Sequence, residues 1–249
     1  MAVKTKPDRL YFTGDDEANA LLAAEPFALL MGMALDQQVP IQTAFAGPLK
    51  LKQRVGTVDP GKLAAIDPAK LEAAFREKPA IHRFPGNMAR RVQELAAIVN
   101  EDYGGDAARI WTEAADSDEL GKRIGELPGF GDMKVKTLAS ILSRRFGVKP
   151  AEDLVPDHHM LGDVDSAEAL ERYQSAKRAY KARLRENTRY SAIFYRKVLP
   201  LAGRWRDVAL LRPQADQEAK EGSALPRTTP PPALRGRNQR CASFHFPQT

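Results

Sequence analysis

From Asp15 to Arg185 apolar positions recur three and four residues apart, and β-branched runs are few, the pattern of a chain built from amphipathic helices. Asp15 and Asp16 can cap a first helix carrying Leu21 and Leu22. Pro26 opens a second, over 27–38, with Leu29, Leu30, Met33 and Ala34 facing inward; a third follows Pro40 through Ala44, Phe45 and Leu49. Asp59-Pro60 and Asp67-Pro68 each pair an N-cap with a proline at the first helical position, which predicts short helices over 61–66 and 69–75. A longer helix over 87–103 puts Val92, Leu95, Ala96 and Val99 on one stripe and stops at Gly104-Gly105. Asp106 then caps a helix through Ile110 and Trp111.

Two further helices flank the most informative segment. Ser117 caps one over 117–126, with Leu120 and Ile124 on one face, and Asp132 caps another reaching Phe146, with Val135, Leu138, Ile141 and Leu142 at helical spacing. Between them stands Leu127-Pro128-Gly129-Phe130-Gly131, so the whole reads as a helix-hairpin-helix. Gly129 and Gly131 permit positive φ and the close approach of a ligand's backbone, so the turn can offer its N–H groups to a phosphate. The plain alternative is a tight connection between packed helices. Local charge favours DNA: Lys122, Arg123, Lys134, Lys136, Arg144, Arg145 and Lys149 face only Glu126 and Asp132 in that stretch. The candidate DNA contacts are Gly129, Phe130, Gly131, Lys134 and Lys136.

Beyond the hairpin, 147–156 reads as an irregular connection. Ser166 caps a last amphipathic helix with Leu170, Tyr173, Ala176 and Tyr180 on one side and Arg172, Lys177, Arg178 and Lys181 on the other. Composition changes near Glu186; a helix can form around 190–198, whereas 213–249, with Pro230-Pro231-Pro232 and few large apolar residues, is expected to be disordered. The expected organisation is an N-terminal arm (1–15), a helical domain (16–185) and a basic, proline-rich tail (186–249). The net charge of +6 argues little, because residues 1–185 hold 27 basic and 27 acidic side chains and the tail holds 11 and 5. Placement says more: Arg83, Arg90 and Arg91 form a second cluster with no acid between them. No run of 18 uncharged apolar residues occurs and the start has no apolar segment, so a cytoplasmic protein is expected. Cys241 alone can build neither a disulfide framework nor a four-cysteine iron–sulfur cluster within one chain.

A DNA-facing hairpin on an all-helical chain invites a search for an acid. The sequence supplies Asp157 within Leu154-Val155-Pro156-Asp157-His158-His159-Met160-Leu161, then Asp163 and Asp165. Cleaving an N-glycosidic bond needs a carboxylate near the sugar, to stabilise oxocarbenium-like charge and orient a water at C1′. The plain reading of each is an N-cap or turn aspartate. His158 and His159 are adjacent on a loop, point apart and lack a third ligand nearby, so no metal is expected. Gln37 and Gln38 either wedge into a duplex or read a base edge, or simply end a helix. Phe45, Phe84, Tyr103, Trp111 and Phe130 read as core residues, one of which would stack on an extruded base.

In this order the motifs resemble the helix-hairpin-helix base-excision DNA glycosylases, the superfamily of endonuclease III, 8-oxoguanine glycosylase and 3-methyladenine glycosylase II, in an uncharacterised branch without an iron–sulfur cluster. The resemblance covers roughly 16–185. Leu127–Gly131 matches the family's L-P-G-[VI]-G hairpin, Leu35-Asp36-Gln37-Gln38 its L-x-Q-Q helix end, Asn87-Met88-Ala89-Arg90-Arg91 the start of its K/R-A-x-x-[IL] helix, and Pro156-Asp157-His158-His159 its V-D-x-H or P-D-D pattern. The nearer branch is also matched by Leu35–Pro48 and by His82-Arg83-Phe84-Pro85-Gly86.

What the resemblance implies is an all-α, two-lobed fold with a cleft, the early helices pairing with the C-terminal helix and the central helices with the hairpin. It implies a monomer acting on double-stranded DNA with a damaged base at the bacterial nucleoid, with no membrane and no cofactor beyond a monovalent cation at the hairpin. Gln38 joins the candidate DNA contacts. Asp157 becomes the catalytic aspartate ahead of Asp163, although it lies farther from the hairpin than usual. In members that are also lyases, a lysine two positions after the last hairpin glycine forms a Schiff base. Here that position is Met133, and Lys134 follows, rotated by about 100° on a helix. The expectation is a monofunctional enzyme using water, with Lys134 on a phosphate. The competing reading is a non-catalytic helix-hairpin-helix protein that binds DNA or recognises lesions.

Overall fold

The computed structural model describes residues 7–198, and among them there are helices and no strand. The segment before the first helix already belongs to the core. Leu10 and Phe12 are buried, and the Phe12 ring meets Phe45 at 4.9 Å. Asn19, on α1 (Asp16–Ala24), pins this segment: its Oδ1 accepts from the Phe12 and Thr13 amides and the Thr13 hydroxyl, and its Nδ2 donates to the Thr13 carbonyl. A buried asparagine is tolerated there because its polar atoms are satisfied.

α2 (Pro26–Leu35) is buried from Phe27 to Leu35, and α3 (Ile41–Val55) packs over it. α4 (Pro60–Ala65) and α5 (Pro68–Arg76) each begin at the proline itself; Asp59 caps the amide of Lys62 at 2.8 Å and Asp67 that of Lys70 at 3.0 Å. Both pack on α6 (Pro85–Tyr103), whose Val92, Leu95, Ala96 and Val99 are buried and which also reaches α2. α7 (Arg109–Thr112), α8 (Ser117–Gly125) and α9 (Asp132–Phe146) follow, with two 3-10 turns, Lys149–Leu154 and Leu161–Asp163, packed on α9. The second of these docks closely: a Cβ on Gly162 would lie 2.1 Å from the Ser140 carbonyl oxygen, so only glycine fits.

The last helix, α10 (Ala167–Val198), is capped by Ser166, whose Oγ accepts from the Ala169 amide at 3.1 Å. On α10, burial raises the Tyr173 pKa, and the Asp36 carboxylate just past α2 adds to the rise. Contacts divide the chain after Leu184; the unit from Arg185 is described as far as Val198, as the continuation of α10.

Several boundaries differ from the sequence pattern. α2 stops at Leu35, not at Gln38: the Asp36 amide bonds to the Gly32 and Met33 carbonyls, the Gln37 amide turns back to Leu35 at 2.7 Å, and Gln38 takes φ +57. Pro40 disfavours helical geometry just before it. The cap of α8 is Asp116, which accepts from Glu119 N at 2.8 Å, not Ser117. α9 is capped at Gly131 without a side chain, and Asp132 is its first helical residue, because the extended backbone at Gly131 (φ −93, ψ 176) makes the turn into the helix. α6 starts at Pro85, two residues early, and α10 runs through Glu186 and residues 190–198 without a break. The proline-rich stretch 213–249 lies outside the described residues.

Candidate functional site

The turn between α8 and α9 is anchored from below and open above. Leu127 and Phe130 are buried, and the Phe130 amide bonds to the Leu127 carbonyl at 3.1 Å. Gly129 takes φ +81, a conformation costly for any L side chain, whereas Gly131 is extended (φ −93) and a Cβ there would meet nothing within 4 Å, so within the chain itself neither backbone nor packing demands glycine. The amides of Gly129, Gly131, Asp132 and Met133 donate to no partner among the described residues. Gly131, Asp132 and Met133 are exposed, so these amides form an accessible donor cluster at the positive end of a four-turn helix. Lys136 is exposed beside it. Phe130 contributes a buried anchor, not a surface for stacking.

Lys134 departs from the expected phosphate contact. Its Nζ donates to the Ala34 carbonyl at the end of α2, 3.1 Å away, and lies 5.6 Å from the Phe130 ring centre. One position beyond Met133, the helix turns this side chain inward, toward α2. Burial pushes its pKa down to about 8, the Arg91 guanidinium adds to the fall, and Asp36 opposes it.

Facing the hairpin are the Asp36–Gln38 loop and the start of α6. Two hollows open there. One, of about 400 Å³, is bordered by Gln37, Gln38, Phe84, Asn87, Arg90 and Arg91. The other, of about 620 Å³, is bordered by Gln37, Arg91, Gly129, Gly131, Met133 and Lys134. Arg91 belongs to both. Its guanidinium bonds to the Gln37 side-chain oxygen, and its side chain crosses the hairpin so closely that a Cβ on Gly129 would lie 2.9 Å from it. The loop is also tied from behind by His82, which is 2% exposed and bonds to the Gln37 carbonyl. Phe84 is 38% exposed and Met133 63%, and the Arg83 guanidinium stands 4.7 Å from the Phe84 ring centre. Phe45, Trp111 and, in part, Tyr103 belong to the core, which leaves Phe84 as the accessible aromatic of those the sequence singled out.

The two aspartates sit differently. Asp157 is exposed on the loop after Pro156 and has no bonded partner among the described residues. Asp163 is tied down: it pairs with Arg144, its Oδ2 meets His159 Nδ1 at 3.2 Å and accepts from the Met160 amide at 2.7 Å. Neither borders either hollow. His158 is exposed, and His159 faces Tyr173 at 5.9 Å. Among the described residues no three His, Cys, Asp or Glu side chains converge.

Arg91, His82 and Asp36 are the site residues that sequence reasoning did not assign. Arg91 had a signal in the Arg83, Arg90, Arg91 cluster; His82 and Asp36 had none beyond their place in matched segments.

A hairpin with unpaired amides at a helix N-terminus, beside hollows bordered by Arg90, Arg91 and Lys134 together with Glu94 and Asp132, can receive a nucleic-acid backbone. Residues 31–191 match the family described as HhH-GPD superfamily base excision DNA repair protein. The chain belongs to that superfamily, and its role is of the DNA-repair glycosylase type, acting on DNA. No curated protein and no solved structure matches it.

Proposed function

We propose that this protein is a monofunctional DNA glycosylase that extrudes a damaged base from a duplex and hydrolyses its N-glycosidic bond with water. The observation that carries the reading is the set of unpaired amides at the exposed residues Gly129, Gly131, Asp132 and Met133, set beside two hollows that share Arg91 and Gln37. A phosphate flanking the lesion docks on those amides, directly or through a monovalent cation, with Lys136 adding charge. Phe84, Met133 and Gln38 fill the space the extruded nucleotide leaves; extrusion costs a few kcal/mol, least for a damaged pair. Of the two carboxylates, Asp157 is the one with acceptor capacity to spare, and it stabilises the cationic sugar and orients the water. Asp163, held by Arg144, His159 and the Met160 amide, fixes the turn that leads up to it. Monofunctional chemistry fits Met133 at the position where lyases carry lysine, and fits the engagement of Lys134 with the Ala34 carbonyl.

The test is single-turnover base release from duplexes carrying alkylated, oxidised, deaminated or mismatched bases. Release is expected from one class, lost by at least 100-fold in Asp157→Asn with DNA binding retained, and kept in Asp163→Asn. Borohydride should trap no protein–DNA adduct; a trapped adduct would refute the monofunctional reading. A second reading, non-catalytic recognition of lesions, draws on the fact that neither aspartate borders a hollow. Affinity for damaged duplex without release from any substrate would establish it instead.

A further inference from the structure

His82 lies behind the DNA-facing corner, in the turn that precedes α6, and bonds to both walls of the smaller hollow. Its Nε2 is 3.0 Å from the Gln37 carbonyl oxygen on one wall, and its Nδ1 accepts from the Phe84 amide, also at 3.0 Å, on the other. The second bond requires a bare Nδ1, so the ring is neutral with its proton on Nε2, donating to Gln37. It is 2% exposed, and its ring lies tilted against Phe84 with the centroids 5.9 Å apart.

The two segments it joins need such a tie. Asp36–Gln38 has left α2 through a left-handed Gln38, and Phe84 stands 38% exposed at the lip of the hollow. The Arg91 link to Gln37 holds the loop from the front, and the imidazole holds it from the rear.

We infer that His82 is a positioning residue that sets the distance between Gln37 and Phe84, and that its protonation releases Phe84. A second proton would have to enter on Nδ1, where it meets the Phe84 N–H head on. The charged groups that act on the ring are Arg83, beside it, and Arg91, from α6; both are cations, and among the described residues no carboxylate adds to them. The Gln37 and Leu35 carbonyls are the groups that favour a charged ring. Burial, the larger effect, together with the two arginines holds the His82 pKa below the usual 6.5. At neutral pH the clamp is therefore closed, and it opens on acidification. This inference rests on the reading of this corner as the part that meets DNA.

Two measurements test the clamp and the DNA reading separately. In the free protein, nitrogen and amide NMR should find His82 in the Nε2–H tautomer, with the Phe84 and Gln37 amides shifting along the same titration, below pH 6.5. A Phe84 amide indifferent to that titration would overturn the inference. In the second, affinity for a duplex bearing a tetrahydrofuran abasic analogue is followed from pH 8 to 5 at fixed salt. Wild type should lose about three- to tenfold as His82 protonates, the value of one hydrogen bond. His82→Asn, whose Oδ1 can still accept from Phe84 but does not titrate, should lack that loss between pH 7 and 5, a range in which Lys134 is already protonated in both proteins. Equal acid losses in wild type and His82→Asn would overturn it. If the NMR titrations coincide but no duplex binds at any pH, the clamp stands and the DNA reading falls.

Discussion

Lys134 shows how far one residue's place on a helix changes its chemistry. Two positions after Gly131 a side chain projects outward, as the exposure of Met133 attests; three positions after, it turns against α2 and meets the Ala34 carbonyl. Its pKa of about 8 means that the folded state holds fewer protons than the unfolded chain between pH 8 and 10.5, so this group's contribution to stability rises with pH across that window. Below pH 8 the fold bears the full cost of a half-buried ammonium. Lys134→Met should therefore stabilise the protein at pH 7 by about 1–2 kcal/mol, less than the whole pKa difference implies because the side chain keeps some water. The gain should vanish above pH 10.5, and thermal melting of the two proteins at pH 7 and 10.5 checks both halves. At this scale the sequence made Gly129 legible, since φ +81 calls for glycine, but the direction of Lys134 depended on where Ala34 lies, a contact 100 positions away in the chain.

Helices were legible wherever a cap and an apolar stripe agreed. Asp59-Pro60, Asp67-Pro68 and the Val92-to-Val99 stripe needed nothing from the rest of the chain. Boundaries shifted where two neighbours compete for one role. Asp116 and Ser117 can both cap α8, and the carboxylate prevails by accepting from Glu119 N while Glu119 Oε2 accepts from the Ala115 amide. Asp116→Ala should cost about 1 kcal/mol in chemical denaturation, and Ser117→Ala under about 0.3 kcal/mol. The helical pattern that ran past Leu35 to Gln38 was misleading for a different reason. Gln37 and Gln38 satisfy the periodicity, yet the loop is bound by His82 and Arg91, partners from beyond residue 80 that no local pattern reveals.

Across the molecule, the buried apolar residues among those described run from Leu10 to Leu170. A chain ending at Val198 should show the melting transition of the full protein to within a few degrees; loss of that transition would assign residues 199–249 to the fold. The candidate site was legible as a set of segments, hairpin, glutamine pair and arginine cluster, but their assembly around Arg91 depends on tertiary packing. That shared guanidinium couples the two hollows. An anion that draws Arg91 toward the hairpin must compete with its bond to Gln37, so occupying one hollow alters the free energy of occupying the other, and by the same amount in either order. On the proposed reading of this corner, backbone grip and the inspection of the neighbouring nucleotide are joined through a single side chain, and the strength of one is set partly by the state of the other.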